Sequence, residues 1–126
     1  MTGKRVVIVE DEGITQMQLR RMLKAAGLMV LASALNGAEG VEVVLRERPD
    51  LVLMGINMPG SCDGLEAARR ILLEYHVCIV MVTAFSDEEY RTRAEDLNAY
   101  GYVVKPVIAE SLIPQLEEAL RKFHQS

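Results

Sequence analysis

The feature that most constrains the fold of this chain is a regular alternation between short apolar runs and segments with helical periodicity. Five runs rich in Val, Ile and Leu are predicted as strands: Arg5 to Val9, Leu28 to Ala32, Leu51 to Met54, Val77 to Val82 and Tyr102 to Val104. Strands without polar alternation are typical of a parallel sheet covered by helices on both faces. The pattern therefore predicts an α/β fold with five strands and five helices.

Several helix boundaries can be predicted from local signals. The segment from Ile14 to Ala26 is predicted as an amphipathic helix that ends at Gly27, a residue suited to a left-handed cap. The last helix is predicted to start near Ser111 or Leu112, because Pro114 is best tolerated in a first turn. Capping boxes, in which a short polar side chain precedes Glu by three residues, predict further helix starts at Asn36, Asp63 and Ser86.

Length and charge exclude several classes of protein. The chain has 126 residues, half of them apolar, which suits a single domain over residues 1–126. Its formal charge of −4 provides no basic surface, so we expect no direct contact with nucleic acid. The apolar run from Val77 to Val82 has the length of a strand and is far shorter than a membrane span. Met1 leads directly into the first predicted strand without a signal peptide, and we expect a cytoplasmic protein.

The two cysteines, Cys62 and Cys78, lack the spacing of a disulfide or metal-binding motif and are predicted to be reduced thiols. Cys78 falls within an apolar run and is expected in the core. Cys62 falls in a loop that contains Gly and Pro, where its thiol is expected to reach the surface.

Polar residues gather where the predicted strands end. Four strands are followed by Glu10-Asp11-Glu12, Gly55 to Gly60, Thr83-Ala84 and Lys105-Pro106. Taken singly, such acids are usually loop residues or helix caps, and a lone lysine is usually a surface charge. In an open parallel sheet, however, ligands bind beyond the carboxyl ends of the strands. The common position of these residues therefore predicts one shared site.

Ordered motifs extend this pattern over essentially the whole chain. They are Val-Ile-Val-Glu10-Asp11-Glu, Pro-Asp50-Leu-Val-Leu-Met with Ile-Asn57-Met-Pro59-Gly, Asp63-Gly64-Leu-Glu, Val-Thr83-Ala84, and Gly101-Tyr102-Val-Val-Lys105-Pro106. In these motifs the chain resembles the receiver domains of two-component response regulators, including the single-domain chemotaxis regulators. The resemblance implies a doubly wound (βα)5 fold of the flavodoxin-like class, with a five-stranded parallel sheet of order 2-1-3-4-5 and helices on both faces.

The resemblance also implies a Mg²⁺ site and a phosphoryl acceptor. Glu10, Asp11 and the main-chain oxygen of Asn57 would hold the ion, which favours oxygen ligands. An aspartate at position 55 would be a further ligand and would accept a phosphoryl group from a histidine kinase or phosphotransfer protein. This chain has Gly55 instead. Because glycine supplies neither a nucleophile nor a side-chain ligand, we expect no phosphoryl acceptance at residue 55 and weak or absent Mg²⁺ binding.

The other family positions are filled as the resemblance requires. The Thr83 hydroxyl and the Ala84 amide would bind the phosphoryl group, and Lys105 would pair with the acceptor and then with the phosphoryl oxygens. Neutralising and positioning such oxygens is the main catalytic task in phosphoryl transfer. Tyr102 would be an aromatic switch that turns inward as Thr83 moves.

The missing aspartate leaves Lys105 without its family partner. We expect this lysine to turn toward Asp11 or Glu10, or to face water or a bound anion. Ser61 and Asp63 are the only obvious alternative acceptors. Both lie in the following loop, where the close and aligned geometry that attack requires is not expected.

Two interpretations of the glycine remain open. It is either a substitution, introduced or selected, in an otherwise intact phosphorylation site, or the mark of a natural pseudo-receiver that acts through protein–protein contacts without phosphorylation. In both cases the chain would be a signalling module and not an enzyme. By analogy with the family, an output domain or a second copy would bind the face formed by the fourth helix, the fifth strand and the fifth helix.

A flavin-binding protein or small enzyme on a similar fold is the main rival from another class. It is disfavoured because no Gly-rich phosphate loop follows the first strand, where three acids would repel a nucleotide phosphate. No output domain is visible in the sequence, and a longer protein cut to this module would look the same.

Overall fold

The computed structural model describes residues 1–84 and 88–126. Within these residues, five strands and five helices alternate along the chain. The strands are β1 (Arg5–Val9), β2 (Met29–Ala34), β3 (Leu51–Gly55), β4 (Cys78–Thr83) and β5 (Gly101–Val104). The helices are α1 (Gly13–Ala25), α2 (Gly37–Glu47), α3 (Gly64–Leu72), α4 (Glu88–Asp96) and α5 (Ala109–Gln125). The predicted alternation is confirmed, with β1 at its predicted bounds and β2 starting one residue later than predicted.

All five strands pair in parallel, in the order β2-β1-β3-β4-β5. This is the order that the family resemblance implied. The strand register aligns Gly55 of β3 with Val82 of β4, and Thr83 of β4 with Val104 of β5. The carboxyl ends of these strands therefore meet at one edge of the sheet, together with the end of β1.

Two hydrophobic cores cover the sheet, one on each face. Alternate residues of β1 point to opposite sides, so Val7 and Val9 join one core while Val6 and Ile8 join the other. Helices α2, α3 and α4 bury their apolar faces in the first core, and α1 and α5 bury theirs in the second. Each large aliphatic side chain that is fully buried stabilises the fold by roughly 1.5 to 3 kcal/mol. Among the described helices, none is long and apolar enough to cross a membrane.

Local capping signals are confirmed at three positions. The side chain of Asn36 accepts a hydrogen bond from the Glu39 amide at 2.9 Å, and that of Asp63 accepts one from the Glu66 amide at 2.9 Å. Gly27 follows α1 with a φ angle of 85°, in the left-handed region that favours glycine. The third predicted capping box begins outside the described residues, so that cap stays a prediction.

Helix α5 corrects one predicted boundary. It begins at Ala109, two residues before Ser111, and Pro114 lies in its second turn instead of its first. The Ile108 carbonyl accepts hydrogen bonds from the amides of Ser111, at 3.1 Å, and Leu112, at 2.8 Å, so the first turn is already closed before the proline. Burial of the apolar face of α5 outweighs the one hydrogen bond that proline cannot donate.

The predicted exposure of Cys62 is wrong, because α2 begins directly against the loop that carries it. A Cβ atom on Gly37 would overlap the Cys62 carbonyl group, and Cys62 is only 5% exposed. Cys78 is fully buried in β4, as predicted. Burial raises the pKa of the Cys78 thiol to about 12 and also raises the pKa of the Cys62 thiol. Both thiols are therefore protonated at neutral pH.

Candidate functional site

A cavity of about 190 Å³ opens at the carboxyl edge of the sheet, where β1, β3, β4 and β5 end. It is lined by Glu10, Asp11, Glu12, Gly55, Ile56, Asn57, Val82, Thr83, Ala84 and Lys105. The structure thus brings together all the predicted metal, acceptor and phosphoryl-binding positions. Among the predicted site residues, Tyr102 alone lies outside the lining of this cavity. The roles that the resemblance assigns to these residues stay predictions.

Lys105 bridges two acids that follow β1. Its Nζ atom lies 3.1 Å from Oε1 of Glu10 and 2.6 Å from Oε1 of Glu12. The backbone amide of Lys105 donates to the Thr83 carbonyl at 2.7 Å, which fixes the base of the side chain beside β4. The expected turn of Lys105 toward Asp11 or Glu10 is therefore confirmed for Glu10.

Glu12 is a partner of Lys105 that the sequence argument missed. Its backbone is extended, with φ −86° and ψ 114°, and it follows Glu10 by two residues. Side chains two apart in an extended segment point to the same side. The chain bends at Asp11, however, so this alternation does not by itself predict that Glu10 and Glu12 face Lys105 together. Asp11, between them, is exposed.

The carboxylate of Glu10 extends toward Gly55. Glu10 is only 2% exposed, and its Oε2 atom has no hydrogen-bond partner among the described residues. This atom lies 2.8 Å from the point that a Cβ atom on residue 55 would occupy. The absence of a side chain at Gly55 is thus what leaves room for this orientation of Glu10.

The pKa values of Glu10, Glu12 and Lys105 depend on one another, because the three side chains are hydrogen-bonded together. Burial raises the pKa of Glu10, although the hydrogen bond from Lys105 opposes this effect. Hydrogen bonds from Lys105 and from Thr15 lower the pKa of Glu12. Burial alone would lower the pKa of Lys105, but its hydrogen bonds to Glu12 and Glu10 outweigh burial and raise it. Lys105 therefore carries its positive charge throughout the neutral range.

The arrangement does not fit a complete Mg²⁺ site. Mg²⁺ requires near-octahedral oxygen ligands and is usually held by carboxylates. Here Glu10 is already bonded to the ammonium group of Lys105, and position 55 offers no carboxylate. Among the described residues, no group of three or more His, Cys, Asp or Glu side chains is arranged to hold a metal ion. Of the predicted set, Asp11 and Asn57 remain, and both are exposed residues that line the cavity.

The alternative acceptors are poorly placed. Asp63 accepts a hydrogen bond from the Glu66 amide at 2.9 Å and caps α3, as its sequence position predicted. Ser61 is exposed in the loop before it. Neither of these two described residues lines the cavity at the strand ends.

Tyr102 lies in a second region, between α4, β5 and α5. The guanidinium carbon of Arg91 lies 4.5 Å from the centre of the Tyr102 ring, a cation–π contact that links α4 to β5. The groove here encloses about 570 Å³ and is lined by Arg91, Ala94, Glu95, Ala99, Tyr100, Gly101, Tyr102, Pro114, Gln115, Glu118 and Lys122. It lies on the face that the resemblance implied for an output domain or a second copy, and that use stays a prediction.

The apolar residues on and just after α4 pack against the domain itself. Ala94 is buried, and Tyr90 and Leu97 are partly buried against the core on that side of the sheet. The surface that α4 presents to solvent is therefore mostly polar. It carries Glu88, Glu89, Arg93, Glu95 and Asp96.

Comparison with known proteins agrees with the fold and identifies the family. Residues 6–117 match the response regulator receiver domain. The transcriptional regulatory protein PdtaR of Mycobacterium tuberculosis (strain ATCC 25618 / H37Rv) is 39% identical over 122 residues, which are 97% of this chain. The chain spans 59% of the length of that relative.

Solved structures of receiver domains are also similar. The signal receiver domain of a modulated diguanylate cyclase from Desulfovibrio desulfuricans G20 has a TM-score of 0.89 and 35% identity, with 98% of each chain covered. The N-terminal domain of a response regulator/sensory box/GGDEF 3-domain protein from Carboxydothermus hydrogenoformans has a TM-score of 0.87 and 32% identity, covering 97% of this chain and 98% of that one. The chain therefore belongs to the response regulator receiver family.

Proposed function

We propose that this chain is a receiver module that does not accept a phosphoryl group at residue 55. The observation that carries this proposal is the orientation of Glu10, whose Oε2 atom lies 2.8 Å from the Cβ position of a residue that has no side chain. Acyl-phosphate chemistry requires a carboxylate nucleophile in line with the donor. Gly55 cannot supply one, and Glu10 is buried and bonded to Lys105.

The remaining parts of the proposal follow from the family and from the cavity. A histidine kinase or a phosphotransfer protein is the expected upstream partner, in the cytoplasm. Mg²⁺ is the expected cofactor of the family, and we propose that it binds weakly or not at all here. An output domain or a second copy would bind the face of α4, β5 and α5, where Arg91 and Tyr102 line a groove.

The test is phosphorylation by acetyl phosphate in the presence of Mg²⁺, measured as a gain of one phosphoryl group by intact mass spectrometry. The unchanged chain is expected to show no gain. Gly55→Asp restores the nucleophile, and Gly55→Asn has nearly the same shape without one, so Asn is the matched control. Labelling of the unchanged chain at the level of Gly55→Asp would overturn the proposal.

The second candidate is a natural pseudo-receiver that acts through protein–protein contacts. The observation in its favour is that Lys105 is already paired with the carboxylates of Glu10 and Glu12, so its positive charge has partners without a phosphoryl group. The same experiment separates the two interpretations. Efficient labelling of Gly55→Asp supports a substitution in an otherwise intact phosphorylation site. A folded Gly55→Asp variant that stays unlabelled supports the pseudo-receiver.

A further inference from the structure

The cavity at the strand ends contains its own cation. Three acids follow β1, and only one of the charged groups lining this cavity among the described residues is positive, the ammonium group of Lys105. It lies 2.6 Å from one carboxylate and 3.1 Å from another. Its side chain is 20% exposed, so the charge is held at the mouth of the cavity and does not extend into solvent.

The carboxylates are arranged around this lysine. Oε1 of Glu10 accepts from Lys105 and also lies 3.3 Å from the Glu12 amide, while Thr15 donates to Glu12 at 3.0 Å. These bonds hold both acids with Oε1 toward the ammonium group. A dication that used either of these oxygens would have to displace the lysine or sit within a few ångströms of it.

We propose that Lys105 acts as an internal counter-ion that takes the place of a divalent cation and lowers the affinity of this cavity for Mg²⁺. This inference rests on the weak Mg²⁺ binding that forms part of the proposed function, and it assigns that weakness a second cause beside the missing carboxylate. Repulsion between a single and a double charge about 4 Å apart changes an affinity by at least about tenfold, even when the charges are screened as in water.

Removing Lys105 has opposite effects on the affinity for Mg²⁺, depending on whether the lysine competes with the ion or helps to position its ligands. If the lysine only held the side chains of Glu10 and Glu12 in place, its removal would let them reorient and would weaken Mg²⁺ binding. If it competes with the ion, its removal frees Glu10 and Glu12 and strengthens binding. The sign of the change therefore distinguishes the two roles.

The experiment is a Mg²⁺ titration followed by calorimetry and by the rise in melting temperature that a ligand of the folded state produces. Lys105→Gln removes the charge, and Lys105→Met removes both the charge and the hydrogen bonds. Lys105→Arg keeps the charge. Lys24→Gln is the matched control, because it removes the same charge from an exposed position near the far end of α1.

Lys105→Gln and Lys105→Met are expected to bind Mg²⁺ about tenfold or more tightly than the unchanged chain. Lys105→Arg and Lys24→Gln are expected to leave the affinity within about twofold, since neither removes charge from the cavity. Equal or weaker binding in a neutral variant whose circular dichroism shows a folded domain would overturn the counter-ion role. Such a result would not affect the proposal that residue 55 accepts no phosphoryl group. Conversely, phosphorylation of the unchanged chain would overturn that proposal, but the Mg²⁺ affinities of the Lys105 variants would still test the counter-ion role.

Discussion

Oε2 of Glu10 lies 2.8 Å from the Cβ position of residue 55, so any side chain introduced there displaces the Glu10 carboxylate. The displaced group is the far end of a flexible side chain, which can move without changing the backbone. Gly55 itself has no positive φ angle, and a larger residue is compatible with its strand conformation. The carboxyl end of β3 can therefore accept an aspartate, at the expense of crowding the acids around Lys105.

Gly55→Asp is expected to be less stable than Gly55→Asn at neutral pH without divalent ions. The aspartate adds a negative charge beside Glu10, and two such charges 4 Å apart repel by about 1 kcal/mol even in water. Urea unfolding of the two variants measures the difference. It should shrink when Mg²⁺ is added, because the ion neutralises the added carboxylate. Equal free energies of unfolding for Gly55→Asp and Gly55→Asn without Mg²⁺ would contradict this prediction. They would indicate that attraction to Lys105 offsets the repulsion between the added carboxylate and Glu10.

Gly64→Ala is expected to destabilise the domain by about 3 kcal/mol or more. A Cβ atom on Gly64 would overlap the carbonyl oxygen of Gly55, and the backbone at this point cannot yield easily, since the Gly64 amide also donates to Ile56 at 2.7 Å. Gly13→Ala is the matched control at the start of α1. A Cβ atom there meets nothing within 4 Å, so stability is expected to rise by about 0.5 kcal/mol. Chemical denaturation of both variants gives the comparison, and similar effects in the two would contradict the predicted overlap.

Arg91 and Tyr102 are expected to be energetically coupled. The distance of 4.5 Å from guanidinium to ring centre predicts a coupling of about 0.5 to 1 kcal/mol for a partly exposed pair. A double-mutant cycle with Arg91→Ala and Tyr102→Leu measures it directly from unfolding free energies. The pair formed by Arg93 and Tyr90, at 6.0 Å, provides a comparison in which weaker coupling is expected. Additive effects of the Arg91 and Tyr102 changes would show that the contact contributes nothing.

Cys78 is expected to make the domain lose stability at alkaline pH. Burial raises its pKa from 9.0 to about 12, so between these values the unfolded thiol ionises while the folded thiol stays protonated. Since the folded state then binds more protons than the unfolded state, stability falls as pH rises, by up to about 1.4 kcal/mol per pH unit. Below pH 9.0 both states are protonated and the effect vanishes.

Cys78→Ala removes this group, so its unfolding free energy should depend less steeply on pH than that of the unchanged chain. Unfolding curves between about pH 8 and about pH 10.5 measure the two slopes. The thiol should also resist modification in the folded protein and react after denaturation. Parallel pH profiles for the two proteins would rule out a raised thiol pKa.

The fold was largely predictable because its signals are local and repeated. Runs of β-branched and aliphatic residues mark the strands, and Asn36, Asp63 and Gly27 mark helix ends through bonds or angles that involve only nearby residues. The strand order required the family resemblance, since periodicity does not specify which strands are neighbours. The start of α5 was predicted too late because Pro114 is a local signal that burial of the whole helix outweighs.

Features that depend on contacts between distant segments could not be predicted from the sequence. Cys62 is buried because Gly37 allows α2 to approach its loop, a contact across 25 residues of chain. The orientation of Glu10 depends on the empty space at Gly55, which belongs to another strand. The second carboxylate on Lys105, that of Glu12, follows a bend at Asp11 and has no role assigned to it by the family resemblance.

The bridge from Lys105 to Glu10 and Glu12 spans the sheet from β5 to β1, passing the ends of β4 and β3. A dissolved ion would leave this position whenever its concentration fell, whereas a lysine side chain is tethered to the chain and cannot be diluted away. The bridge therefore forms without any dissolved cation. These ion pairs connect the segment after β5 directly to the segment after β1, without a bound ligand.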